Sequence, residues 1–115
     1  MRKINTGDVF KLARLVNETK MTDTLKEAYL SGRKENADAE EIGVSAAMGI
    51  LTSCSSRRTE EMFYALLAGI CEKEPKDIET QPIEETVNDI KQLVKENDIM
   101  HFFSQASRLA KTIKK

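Results

Sequence analysis

The chain has 115 residues, 40% hydrophobic and 32% charged, with a formal net charge of −1. This is the size and balance of one soluble globular domain, long enough to bury a core without disulfides or a metal. Five Gly and two Pro exclude collagen-like and Pro/Gly-rich disordered classes, and 5% aromatics with no Trp argue against a base-stacking nucleic-acid platform.

Nearly every stretch carries a helical period, and none alternates as a strand does. The expected fold is an all-α, compact bundle of five to six short helices in a single domain over residues 1–115. Thr6 or Asn5 caps the first helix, with Asp8 favourable in its first turn. Val9, Leu12, Ala13 and Val16 then fall at i, i+3, i+4 and i+7, and the pattern ends between Asn17 and Met21. Thr22 or Asp23 caps a short second helix through Leu30, with Leu25, Ala28 and Tyr29 on its apolar face. Ser31-Gly32 terminates it, and the charged stretch from Arg33 to Asn36 reads as a surface connection.

The third helix, from about Ala37 to Leu51, carries its acids early (Asp38, Glu40, Glu41) and no charge afterwards. Apolar residues from Ile42 to Leu51 surround nearly the whole cylinder, which is the pattern of a helix covered on several sides. Gly43 and Gly49 each cost about 1 kcal/mol of helix propensity relative to Ala, so packing must offset them. Two readings follow: a central core helix, or a helix with one side against another subunit or a partner helix. Thr52 to Arg58 reads as a polar loop. Thr59 with Glu60 and Glu61 reads as the start of the fourth helix, whose face is Met62, Phe63, Leu66, Leu67 and Ile70. Pro75 ends it, and Asp77 to Glu79 forms at most a single turn. Pro82 suits the first turn of a fifth helix with Ile83, Val87, Ile90 and Val94 on its face. Asn97-Asp98 recaps the chain for a sixth, amphipathic helix from Ile99 to Ile113.

Charge is segregated along the chain. Residues 1–34 carry net +4, residues 35–100 net −9, and residues 101–115 net +4. A central acidic body with basic ends is unlike the concentrated basic stripe of a DNA binder, and the basic pair Arg57-Arg58 is followed closely by two glutamates. Cys54, Cys71 and His101 cannot assemble a tetrahedral zinc site. No cofactor is expected, and two free thiols suit a reducing compartment. Ser53, Cys54, Ser55 and Ser56 offer nucleophile atoms, but only His101 could serve as a histidine base. The acid pairs Glu40-Glu41, Glu60-Glu61 and Glu84-Glu85 sit in or near first helical turns, where the helix dipole explains them without catalysis. No segment reads as a signal peptide, and the apolar run from Ile42 to Leu51 is about half a bilayer span. The expectation is a non-enzymatic protein that binds neither nucleic acid nor membrane.

The C-terminal half carries an extended pattern: Thr59 to Ile70 (TEEMFYALLAGI), Lys76 to Ile83 (KDIETQPI), Val87 to Val94 (VNDIKQLV) and Asp98 to Ala106 (DIMHFFSQA). With the opening Ile4 to Leu15 (INTGDVFKLARL), it resembles the tail assembly chaperones of long-tailed bacteriophages and related prophages. The likeness covers residues 59–106 best and is a pattern of helix signals rather than a catalytic signature. The resemblance implies a small helical protein in the host bacterial cytoplasm, absent from the mature virion. It would bind the tape measure protein and keep it soluble while the tail tube assembles around it. In this family a longer, frameshifted form often engages the tail-tube protein, and an ending after the basic Lys111 to Lys115 is consistent with the short form. The competing reading is a small helical adaptor or regulator, DNA-binding included, with no assembly role.

A chaperone for an amphipathic partner needs adaptable apolar surface, which methionines supply. The residues proposed to meet the partner, or a second copy of the chain, are Ala47, Met48, Ile50, Leu51, Met62, Phe102 and Phe103. Met48 and Met62 serve equally as core filling. Phe102 and Phe103 point about 100° apart on one helix, so either one anchors the core while the other meets the partner, or both lie in the core of a helix packed on a broad front.

Overall fold

The computed structural model describes residues 1–32 and 38–112. Those residues form seven helices: α1 (Thr6–Thr19), α2 (Thr22–Gly32), α3 (Ala39–Ser53), α4 (Arg57–Cys71), α5 (Pro75–Thr80), α6 (Ile83–Glu96) and α7 (Ile99–Thr112). There is no strand among them. The all-α class agrees with the sequence, while the count exceeds the five to six expected. The extra element is α5. Pro75 stops α4 and also occupies the first turn of α5, where its missing N–H is no loss. Ile78 is buried and holds this short helix to the core.

Helix starts follow side-chain capping. Asn5 caps α1, and Asp8 returns the bond to the Asn5 backbone N–H, completing a capping box. Asp38 caps α3. The α4 cap is Ser56 rather than Thr59. Thr59 lies at the third helical position, buried, with its hydroxyl bonded to Ser56, so α4 begins three residues earlier than its acidic pair suggests. The expected start of α3 near Ala37, the connection from Arg33 to Asn36 and the apolar end at Ile113 lie outside the described residues, as do the side chains of Ala28 and Tyr29.

The core is the apolar face of every helix. Leu12, Leu15 and Val16 of α1, Leu25 of α2, Ala46 and Ile50 of α3, and Leu66, Leu67 and Ile70 of α4 are buried together with Ile90 of α6 and Phe102, Phe103 and Ala106 of α7. Helix α7 packs on α1, α2 and α3, which is the broad front that buries both phenylalanines. Helix α3 touches α1, α2, α6 and α7, so its nearly continuous apolar surface is covered on most sides. Gly43 marks the closest approach: a Cβ there would stand 2.9 Å from Ile99 Cγ2 and 3.2 Å from Val94 Cγ1. On α6 the buried stripe is Thr86, Ile90, Leu93 and Val94, whereas Ile83, expected on that face, is 58% exposed. The first turn of α6 extends past the body it packs on.

Polar links tie the chain ends and turns to this core. The Arg2 guanidinium lies against Gly69 and bonds the buried Asp8, while the Arg2 backbone N–H donates to Ile70 O at 3.0 Å. Asn97 accepts from the Ile4 N–H at 3.2 Å. Lys73 in the α4–α5 turn, Gln81 at the end of α5 and Asp89 of α6 form one network: both Lys73 Nζ and Gln81 Nε2 donate to Asp89 Oδ2 at 3.0 Å. Arg57 bridges Glu61 and Glu79, joining α4 to α5, and Arg58 pairs with Glu18 of α1. The Arg57-Arg58 pair is thus engaged with carboxylates.

Candidate partner-binding surfaces

The seven residues singled out from the sequence separate into two groups. Ala47, Ile50, Phe102 and Phe103 converge around an apolar pocket of about 40 Å³ in the core, with Leu12 and Leu67 among its other walls. The two phenylalanine rings stack at 6.3 Å with an interplanar angle of 28°. Only apolar side chains line this space, so it offers water no partner. Ile50, Phe102 and Phe103 are buried, and Ala47 is half-buried at the edge of this pocket. Met48, Leu51 and Met62 are half-buried, packed on the core from outside.

Met48 belongs to an open groove of about 370 Å³ between α3 and α6. Val44 and Met48, one helical turn apart, supply its apolar floor. Asp38, Glu40 and Glu41 form an acidic rim, and Lys91 of α6 stands opposite. The local sequence explains this layout. Acids gather at the start of α3 because the helix dipole favours them there, and the apolar remainder of the helix has more faces than its neighbours cover.

A second open groove, of about 470 Å³, runs between α1 and α7. Val9 and Phe10 of α1 and Leu109 of α7 make it apolar, and Arg108 lines its edge. Phe10 is 38% exposed, and the Arg14 guanidinium sits 5.7 Å from its ring centroid. The residues proposed from the sequence do not include this groove. Its signal was available: Phe10 falls one position off the Val9, Leu12, Ala13 and Val16 stripe, which leaves a large aromatic without a place in the core.

The titratable groups show stabilising chemistry. Burial pushes the Cys71 thiol up to about 11, with the nearby Asp89 charge adding to it. Burial also raises Cys54, partly opposed by its hydrogen bond with Thr59. Both thiols are therefore held protonated and poorly nucleophilic. The Tyr64 hydroxyl bonds the Glu60 carboxylate, which pushes it up to about 12. His101 is exposed. Among the described residues no three His, Cys, Asp or Glu side chains gather as a metal site, and no helix is long and apolar enough to cross a membrane.

No protein-family model matches the chain, and neither a curated protein nor a solved structure matches it.

Proposed function

We propose that this chain is a tail assembly chaperone that binds a phage tape measure protein in the host bacterial cytoplasm and keeps it soluble during tail-tube assembly, without entering the mature virion. The observation that carries the reading is the α3–α6 groove. It leaves Val44 and Met48 accessible on a helix that is apolar nearly all round. A tape measure protein is long, helical and amphipathic, and such segments bind by laying an apolar face into a groove of this kind. Methionine adapts to successive, non-identical segments. The acidic rim of Asp38, Glu40 and Glu41 selects segments flanked by Lys or Arg. The resemblance of residues 59–106 to the chaperone family supports the same reading, and a longer form of the chain would add contact with the tail-tube protein.

The test is co-expression with the tape measure protein of the same genome. The proposal expects a larger soluble fraction of that protein when this chain is present, and a complex of the two on a sizing column. Equal solubility with and without the chain, and no complex, would replace this reading with that of an adaptor.

A further inference from the structure

We propose that the α1–α7 groove is a second docking site, for an amphipathic helix that carries acidic residues along its flanks. This inference stands on the groove alone and does not depend on the chaperone reading. Its floor is apolar, with Val9, Phe10 and Leu109 brought together from two helices. Phe10 is an exposed large apolar side chain, and it lines this groove. Its lining runs from Thr6 to Phe10 on α1 and from Gln105 to Thr112 on α7, a trough about 10 Å long. That length accepts roughly two turns of a third helix packed alongside.

Charge decides which helix. Arg108 lines the groove and Arg14 stands over Phe10. Lys111 lies in the last turn of α7, and α7 contains no acidic residue. The acids of α1 are committed elsewhere: Asp8 is buried against Arg2, and Glu18 pairs with Arg58 across the junction with α4. The face is therefore cationic around an apolar strip. An occupant with Glu or Asp beside its apolar stripe is attracted and held in register, whereas a Lys- or Arg-flanked helix is repelled. The acidic α3–α6 groove has the opposite preference, so the two grooves discriminate between segments by charge.

The test uses two synthetic helical peptides of about 18 residues, long enough to hold some helix in water. Both carry Leu at i, i+3, i+4 and i+7; one has glutamates on its flanks and the other has lysines. Binding to the full chain is read by fluorescence anisotropy. The Glu-flanked peptide is expected to lose about tenfold in affinity with Phe10→Ser, and about as much with Arg108→Glu. The Lys-flanked peptide should bind no tighter after Phe10→Ser and gain from Arg108→Glu. Both substituted side chains are exposed, and circular dichroism checks that each variant is folded. Affinity for the Glu-flanked peptide unchanged by both substitutions would overturn the proposal. So would failure of the Glu-flanked peptide to bind at all, including the case in which the chain self-associates through Phe10 and thereby covers the groove.

Discussion

Arg2 grips Asp8 in a two-pronged ion pair, with Nη1 2.7 Å from Oδ2 and Nη2 2.8 Å from Oδ1, and the Asp8 side chain is 1% exposed. The same carboxylate accepts the Asn5 N–H at 2.9 Å, so one buried acid joins the N-terminal strap to the first turn of α1. Burial alone would raise the Asp8 pKa. The Arg2 and Asn5 hydrogen bonds, with the Arg2 and Lys11 charges, outweigh it and hold the carboxyl below its ordinary value.

Arg2→Ala leaves that carboxylate buried with part of its hydrogen bonding gone. The cost expected is about 2 kcal/mol, below the full penalty for a broken buried pair because Arg2 itself is partly exposed. The melting temperature should fall by about 8 °C. Since the folded pKa of Asp8 is depressed, its contribution is complete above about pH 4 and is lost as pH falls through the folded value. Urea titrations at stepped pH should show a shallower acid limb for Asp8→Asn than for the native chain.

The two glycines of α3 should respond oppositely to alanine. At Gly49 a Cβ would meet only Met21 Cε at 3.6 Å, an ordinary contact, so Gly49→Ala gains helix propensity and stabilises by about 0.5–1 kcal/mol. At Gly43 the new methyl would be driven into Ile99 and Val94. There overpacking outweighs propensity, and Gly43→Ala destabilises by about 1–2 kcal/mol. Chemical denaturation of both variants checks the pair, and a stabilising Gly43→Ala would show that α3 does not approach α6 and α7 this closely.

Cys71, at about 11, is almost wholly protonated at pH 8. About one molecule in a thousand carries the thiolate, against roughly one in four for a thiol of ordinary pKa. Iodoacetamide labelling of Cys71 in the native chain should therefore run at least about tenfold slower than in denaturant, followed by mass spectrometry of the labelled peptide.

Periodicity made the helices and most of their inward faces legible, because the 3.6-residue repeat is local. Leu12, Ala13 and Val16, or Phe63, Leu66, Leu67 and Ile70, are buried as their spacing implies. Local signals with two meanings were less clear. Pro75 both ends α4 and begins α5, and Ser56 looks like loop until Thr59 is seen to complete its cap. Ile83 kept the helical period of α6 yet stands exposed, since periodicity does not say where a helix outruns its support. The Arg2–Asp8 grip, the Lys73–Gln81–Asp89 network and the α1–α7 groove depend on which helices become neighbours, and no spacing in the chain encodes that. For the same reason Ala47, Ile50, Phe102 and Phe103, apolar and adjacent in pattern to Met48, turned out to share a core pocket while Met48 lines the outer groove.

That division gives the most direct test of the account. Met48→Glu places a charge in an open groove beside acids, at a half-buried position packed on the core, so the chain should stay folded with its melting temperature lowered by several degrees. On a sizing column with the tape measure protein, the native chain is predicted to co-elute and the folded Met48→Glu variant to elute alone. Co-elution of the folded variant to the same extent as the native chain would contradict the claim that the α3–α6 groove holds the partner.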